Sequence, residues 1–242
     1  MTCRRAVRIL GNVLIVAGLL GIAWTIVVWQ WQDPFTGLYT RWQQHHLRSQ
    51  YAKLAHAYRP PHADGSGANL AALVAREAAQ YRRDTHPGEG IGKIVIGRLG
   101  LHMILVDGTD ETSLEKGPGR DLRTYMPGQN RLVYVAGHRT TYLAPFAHIE
   151  RMRAGDPVTI ELPYATFLYR VFTKKIVQAD DMAALRSNGR EIVKLQACHP
   201  RFFASHRYIV SARLVRIEPR GEHAITAPAR VLAAAPLAAT EG

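Results

Sequence analysis

The sequence predicts a mainly β domain, a barrel or a sandwich with a few short helices, preceded by an N-terminal transmembrane helix and a helical juxtamembrane segment. Three observations support this fold class. An apolar run opens the chain, helix-like patterns follow it, and short runs rich in Val, Ile, Leu and Tyr fill the sequence from residue 91 onward. Regular short strands separated by turn residues are typical of all-β folds.

The first element is an apolar segment, residues 9–29, that contains no ionisable side chain. About 20 such residues form a helix that crosses roughly 30 Å of hydrocarbon. Positive charge lies at the start of the segment and aromatic side chains cluster at its far end, which predicts a cytoplasmic N-terminus and a domain outside the cell membrane. The charged residues are Arg4, Arg5 and Arg8, and the aromatic residues are Trp24, Trp29, Trp31 and Phe35.

We interpret this segment as an uncleaved signal anchor rather than a cleaved signal peptide. The apolar core of a signal peptide is shorter, and no small-x-small cleavage motif follows Trp29. The chain is therefore expected to be a single-pass membrane protein, with residues 1–8 in the cytoplasm, residues 9–29 in the membrane and the remainder extracytoplasmic.

Residues 30–87 are predicted to form a helical juxtamembrane stalk and linker. Apolar residues recur at nearly helical spacing over 36–58, and a second helix is expected over 70–83. The stretch "RPPHADGSGAN" separates the two helices, because its Pro and Gly residues interrupt both kinds of regular structure. The sequence leaves open whether these helices pack on the β domain or only space it from the membrane.

Residues 88–220 carry the predicted strands and form the β domain. The strand-like runs are "IGKIVIG", "LHMILVDG", "RLVYVAG", "DPVTIEL", "TFLYRVF", "KKIVQ", "EIVKLQA" and "RYIVSARLVRI". One helix-like insert is expected over 180–189, and the acidic stretch 107–112 is interpreted as a polar turn rather than a calcium loop, because its spacing does not match one. The Ala- and Pro-rich residues 221–242 are expected to be disordered.

The net charge of +12 predicts an anionic neighbour for the protein. The charge is spread along the chain without a basic block interleaved with aromatics, so no nucleic-acid partner is expected. The two cysteines, Cys3 and Cys198, do not form a disulfide framework. No metal or other cofactor is expected.

Cys198 is a candidate nucleophile at the end of a strand-like run. The stretch "CHPRFFASHR" fits a turn between two strands, which would return Arg207 to the neighbourhood of Cys198. His138 is the preferred base, because His199 adjoins the cysteine and neighbours in a strand point to opposite faces. Taken alone, a cysteine at a strand end is more often a small buried residue.

Three segments together resemble the sortase family, and they are most similar to the class E housekeeping sortases of actinobacteria. The segments are "GHRTTYLAPF", the stretch "KLQACHPRFFASHR" whose Cys lies 60 residues after the His of the first, and residues 91–120 with their "LEKGPGR" end. The resemblance covers roughly residues 88–218 and implies a closed β-barrel.

The resemblance also implies a mechanism. Cys198 would attack the Thr–Gly carbonyl of a C-terminal sorting signal, LAXTG- or LPXTG-like, and form a thioester. His138 would act as general acid and base, and Arg207 would stabilise the oxyanion or orient the substrate. The implied partners are secreted proteins that carry such signals, the amine of a lipid II-like peptidoglycan precursor, and the membrane.

Several positions depart from the family pattern. Ala197 stands where the family has the Thr of "TLxTC", Leu143 where it has Gly, and Arg120 where it has the His of "GPGH". Tyr142, Thr140, Thr141 and Ala197 are the expected substrate-binding residues. One alternative is therefore a catalytically weak or inactive scaffold module of the membrane and cell wall. The other alternative, an L,D-transpeptidase, is disfavoured because "LQACHPR" lacks the Ser and Gly of that family's motif.

Overall fold

In a computed structural model of the protein, the structure describes residues 3–31, 34–59, 67–220 and 225–226. Helix α1 runs from Cys3 to Trp31 without a break. Within it, Val7–Ile26 is the one stretch of the described residues that is long and apolar enough to cross a membrane, and none of that stretch is buried against the rest of the chain. Its length and composition agree with the predicted anchor.

The β domain, residues 88–220, is a closed β-barrel, as predicted. Its strands are β1 Gly90–Ile96, β2 Leu101–Asp107, β3 Gly119–Arg120, β4 Leu132–Ala136, β5 Pro157–Glu161, β6 Ala165–Gln178, β7 Ile192–His199, β8 His206–Pro219 and β9 Ile225–Thr226. They follow the order β6-β5-β1-β2-β3-β4-β7-β8-β9, and a pairing of β6 with β8 closes the first eight into a barrel. Alternating apolar side chains fill the interior, which includes Phe146, Phe167 and Tyr169.

Two parallel pairings decide where the strand ends meet. β2 pairs with β3 and β4 pairs with β7 in parallel, whereas the other pairs are antiparallel. Because β4 and β7 run in the same direction, the loop after β4 emerges beside the end of β7. The backbone N–H of Gly137 donates to the carbonyl of Gln196 at 3.0 Å, which extends this pairing past the end of β4.

The two runs "TFLYRVF" and "KKIVQ" are not separate strands, contrary to the sequence prediction. They form the single 14-residue strand β6, which shifts register between Val171 and Thr173. A bulge of this kind bends a strand without ending its pairing. β6 therefore continues alongside β8 through the pair of Val177 with Arg207 to that of Gln178 with His206.

Both stalk helices pack on the barrel, which resolves the alternative that the sequence left open. In α2, Pro34–Ala57, the side chains of Leu47 and Tyr51 are buried in one cluster with Ile104 and Val106 of β2. In α3, Gly67–Asp84, the side chains Val74 and Ala78 join the main core. Gln44 of α2 also donates to the Ile104 carbonyl at 3.1 Å and accepts from its N–H at 2.6 Å.

Three further segments differ from their predictions. The acidic stretch leads into a helix, α4 Glu111–Lys116, with Asp110 as its N-cap accepting from the Ser113 N–H at 3.0 Å. The helix-like insert shrinks to a 3-10 turn at Met182–Leu185. In the segment predicted to be disordered, Ile225–Thr226 pair with β8 as β9. The rest of that segment lies outside the described residues.

A buried ion pair lies between β2 and β3. The Arg120 guanidinium contacts Asp107 Oδ1 at 2.6 Å, and their side chains are 2% and 1% exposed. Arg120 also donates to the Thr124 carbonyl at 2.9 Å, and the Thr85 hydroxyl donates to the other oxygen of Asp107 at 2.8 Å. Four groups therefore meet in a dry site, and Arg120, which departs from the family motif, is structural.

Candidate active site

Cys198 and Arg207 face each other across β7 and β8. The antiparallel register of these strands pairs the two residues directly. Along β7 the even-numbered positions are half-buried and the odd-numbered positions up to 197 are buried, so Gln196 and Cys198 share the outer face. The two candidate residues thus lie on one surface because of strand register and alternation.

Ala197 does not lie on that surface. It is fully buried and belongs to the core cluster inside the barrel. Its side chain therefore does not line the groove, and its predicted substrate-binding role is not supported. The hydroxyl that the family carries at this position would also point into the core of this barrel.

His138 lies in the loop that follows β4. Gly137 lets the chain turn inward there, because a Cβ on Gly137 would come within 2.7 Å of the Phe146 ring. The carbonyl of His138 accepts from the Phe146 N–H at 3.1 Å, which fixes the backbone of the loop. His138 Nε2 is buried and has no hydrogen-bond partner in the described part of the chain.

Burial lowers the pKa of His138, against the opposing pull of Glu115 and Glu111. Burial has this effect because a charged imidazolium loses hydration inside the protein. The neutral ring is therefore favoured at rest. An unpartnered nitrogen on a neutral imidazole is suited to take up a proton and then release it.

One cavity of about 310 Å³ unites the three candidates. Cys198, His138 and Arg207 all line it, together with Gln196. Its walls also include residues from α4 and the loop before it, the loop after β3, β4 and the loop after it, the end of β6 and the Met182 turn. They are Thr109, Leu114, Asp121, Arg123, Tyr134, Ala136, Gly137, Val177, Gln178, Ala179, Asp181, Met182, Ala184 and Leu185. The elements that build the cavity are far apart in sequence.

Arg207 is anchored by the turn that precedes it. Its guanidinium Nη1 donates to the carbonyls of Ala204 at 2.6 Å and His206 at 3.1 Å. Phe202 and Ala204 in this turn have φ values of 72° and 52°, a region that side chains rarely adopt. A turn of this shape folds its carbonyls back toward Arg207 and holds the cation at the cavity.

Tyr142 contacts His138 from the loop side. The centres of the two rings are 5.1 Å apart, and the Tyr142 hydroxyl donates to Glu115 Oε1 at 2.8 Å. Tyr142, Leu143 and Ala144 have φ values of 52°, 60° and 38°. Leu143 therefore adopts the left-handed conformation that glycine, its family counterpart, adopts without strain.

The structure does not bring Thr140 and Thr141 to the cavity wall. Both are half-buried, and the carbonyl of Thr141 accepts from the Ala144 N–H at 2.8 Å within the loop. Tyr142 also lies outside the cavity lining and reaches the site through His138. Substrate contact by these three side chains remains a prediction.

The other histidines near the site make different contacts. His199 lies within 3.0 Å of an Arg139 guanidinium nitrogen, with its ring 5.9 Å from that of Tyr208. His148 Nδ1 lies 3.1 Å from Arg201, and His206 Nδ1 lies 2.9 Å from the Ser205 hydroxyl. None of the three lines the cavity that contains Cys198.

Arg139 is a residue at the site that the sequence reasoning missed. Its guanidinium is buried, donates to the Cys198 carbonyl at 3.1 Å and pairs with Glu150 at 2.9 Å. It thereby ties the strand of the cysteine to the loop of the histidine. The sequence did offer a signal for it, because Arg139 directly follows His138. A charged residue beside a half-buried site has to be either exposed to solvent or paired with another group.

Comparisons with known proteins identify the family of this chain. The model of the sortase domain matches residues 94–215. Sortase D of Bacillus subtilis is 31% identical over 168 residues, which cover 68% of this chain and 81% of that protein. Sortase SrtE1 of Streptomyces coelicolor is 26% identical over 153 residues, which cover 56% of this chain but only 43% of that protein.

Among solved structures, a sortase D5 transpeptidase of Clostridium perfringens matches with a TM-score of 0.58 and 23% identity. The match covers 72% of this chain and 98% of that one. The relatives include sortases named D as well as E, so the similarity to class E is shared with class D. Together, the domain match and the Bacillus relative show that this chain belongs to the sortase family of cysteine transpeptidases.

Proposed function

We propose that this protein is a membrane-anchored sortase that cleaves a C-terminal sorting signal between Thr and Gly and transfers the protein to a cell-wall precursor amine. The signal is LAXTG- or LPXTG-like. The observation that carries the proposal is the single cavity shared by Cys198, His138 and Arg207. A cysteine, a buried imidazole and a permanent cation in one groove supply the groups that acyl transfer needs.

The reaction divides into two acyl transfers. Cys198 Sγ attacks the Thr carbonyl, and the oxygen that becomes negative lies toward the Arg207 guanidinium. The neutral His138 takes the thiol proton of Cys198 as Sγ attacks, and it gives this proton to the leaving Gly amine as the thioester forms. It then takes a proton from the incoming amine, whose nitrogen attacks the thioester, and returns that proton to the released sulfur of Cys198. The covalent intermediate replaces one difficult amide exchange by two easier steps.

The membrane arrangement is part of the proposal. The length and composition of Val7–Ile26 support a single spanning helix. The arginines that precede it support a cytoplasmic N-terminus, because positive flanks stay on the cytoplasmic side. The barrel then lies outside the cell membrane, where secreted proteins and the peptidoglycan precursor are found.

The direct test is trapping of the acyl-enzyme. The full chain in detergent is incubated with LAXTG and LPXTG peptides, and the protein is weighed by mass spectrometry. We expect an adduct of the peptide up to its Thr, retained in Cys3→Ser and lost in Cys198→Ala. If no adduct forms with either peptide while Cys198 still reacts with an alkylating agent, the scaffold alternative is favoured.

A further inference from the structure

The first turn of α2 is hydrogen-bonded to the loop that carries the catalytic histidine. The Thr36 hydroxyl accepts from the Tyr142 N–H at 3.1 Å. One turn later, the Thr40 hydroxyl donates to the Glu115 carbonyl at 2.8 Å, and Glu115 itself binds the Tyr142 hydroxyl. Since the Tyr142 ring lies against His138, a short chain of contacts joins residue 36 to the active site.

The first turn of α2 must also lie close to the end of α1, because few residues separate the two helices. Helix α1 ends at Trp31 and α2 begins at Pro34. Three residue steps span at most about 11 Å even when fully extended. The active-site end of the barrel therefore lies within a short distance of the point where α1 ends.

The outer surface of the first half of α2 is apolar and unusually exposed. Leu38 is 67% exposed, Trp42 is 63% exposed and Tyr39 is 40% exposed, with the exposed Arg41 among them. Aromatic rings beside a cation are the side chains that favour the lipid headgroup region. In the second half of α2 the exposed residues are mostly polar, as at Lys53.

A second apolar feature lies at the rim of the site. Phe203 is 81% exposed and Phe202 is 57% exposed in the turn that anchors Arg207. Exposing two phenylalanine rings to water is unfavourable, and a solvent-exposed turn does not need phenylalanine in order to form. Their position next to Cys198 and Arg207 puts a second group of exposed rings at the end of the barrel to which α2 is tied.

We propose that the active-site end of the barrel rests on the lipid headgroups, with Leu38, Tyr39 and Trp42 in the interface. The lipid II-like acceptor of the proposed function would then reach the site from the headgroup side of the barrel. The inference rests on the proposed function, in which α1 spans the membrane and an amine resolves the thioester. It adds the docking surface and the direction from which the acceptor arrives.

The position of α2 is tested by site-directed spin labelling. Nitroxides are placed through Leu38→Cys or Lys53→Cys in the full chain carrying Cys3→Ser and Cys198→Ala, in vesicles of phosphatidylcholine and phosphatidylglycerol. We expect the label at 38 to be more accessible to oxygen than to a water-soluble nickel chelate, and the label at 53 to show the reverse. Equal accessibility of the two positions to the chelate overturns the proposal.

The delivery of the acceptor is tested with a release variant. A flexible Gly/Ser linker of about 15 residues, with a root-mean-square reach of about 20 Å, is inserted between Gln32 and Asp33, together with Leu38→Ser and Trp42→Ser. The matched control carries Leu54→Ser and the same linker after Gly242. Transfer from a sorting peptide is measured to a lipid-tethered amine in the vesicles and to a soluble amine.

We expect the release variant to lose about tenfold or more of its transfer to the tethered amine, because its effective concentration falls. Its transfer to the soluble amine and the control's transfer to both should be unchanged. Equal losses toward both acceptors overturn the proposal. If the parent chain forms no acyl-enzyme, the proposed function fails, and the spin labels alone decide the docking surface.

Discussion

Arg207 is placed at Cys198 by strand register, and its guanidinium is oriented by two carbonyls of the preceding turn. The guanidinium is planar and carries five N–H donors. Because a single nitrogen, Nη1, donates to both carbonyls, the other N–H groups can still donate to an oxyanion. Lysine offers a point charge at the end of a flexible stem and reproduces neither feature. The identity of the cation should therefore matter, and not only its charge.

We predict that Arg207→Lys lowers kcat by about 100- to 1000-fold, which is the usual effect of losing one oxyanion donor. The measurement is peptide cleavage under saturating substrate. Arg216→Lys on the same strand, where Arg216 pairs with Glu218 at the surface, serves as the matched control and should stay near the parent rate. A near-normal rate for Arg207→Lys would remove Arg207 from the mechanism.

His138 should also make the stability of the protein depend on pH. Its pKa is lowered by burial, so the native state takes up this proton at a lower pH than the unfolded chain does. As the pH falls below about 6.5, His138 therefore lowers the free energy of unfolding. The free energy of unfolding, measured in urea at about pH 7.5 and about pH 5.5, should fall less in His138→Gln than in the parent. The same pH-dependent difference in His138→Gln and in the parent would contradict the assignment.

At the level of residues, the sequence was sufficient for some assignments and not for others. Strand alternation excluded His199 from the face of Cys198, and the structure agrees. The same rule would have excluded Ala197, the neighbour on the other side of Cys198, from the substrate-binding residues. Ala197 lies in the core. The contacts of Arg139 were not predictable, because alternation says nothing about a side chain in a loop.

At the level of elements, the parallel pairing of β4 with β7 brings the histidine and the cysteine together. Parallel neighbours cannot be joined by a tight turn, so the pairing is not visible in the local pattern of either strand. The bulge in β6 was missed for a similar reason, since its interruption of the apolar pattern looks like a strand end. Helix α4 was missed because six residues are too few to show a helical period.

Arg139 links the loop after β4 to the end of β7, so removing its guanidinium should destabilise the contact between them. We predict that Arg139→Met lowers the free energy of unfolding by about 1–3 kcal/mol, because the Cys198 carbonyl and Glu150 lose their donor. kcat should also fall about tenfold or more, because the reacting groups lose their alignment. Urea unfolding and peptide cleavage measure the two effects.

The matched control is Lys93→Met, which removes an ion pair with Glu161 whose side chains are 45% and 38% exposed. It should change stability by no more than about 1 kcal/mol and leave kcat unaltered. If Arg139→Met behaves like this control, Arg139 is not a positioning residue.

For the whole molecule, the closure of the barrel depends on the pairing of β6 with β8, two long strands that are separated in sequence by β7. Composition and periodicity predict that strands exist, but they do not distinguish a barrel from a sandwich. The motif resemblance supplied that distinction, and the structure confirms it. The burial of Arg120 with Asp107 likewise depends on a strand pairing, that of β2 with β3, which periodicity does not reveal.

We predict that Arg120→Met lowers the free energy of unfolding by about 3–5 kcal/mol, because Asp107 would remain as an unpaired charge in a dry site. Denaturant unfolding monitored by circular dichroism provides the measurement. The double variant Asp107→Leu with Arg120→Met should recover much of the loss, because it leaves no uncompensated charge. A double variant less stable than Arg120→Met would show that the polar network is needed beyond charge balance.

The packing of α2 also decides how a soluble form of this enzyme has to be made. A truncation in the linker after residue 59 would strip Leu47 and Tyr51 from Ile104 and Val106 and leave the Ile104 peptide group without Gln44. It would also remove the Thr36 hydroxyl from the Tyr142 N–H in the loop that carries His138. The shortest soluble form that keeps these contacts therefore starts at Pro34, where α2 begins, and not at the first strand of the barrel.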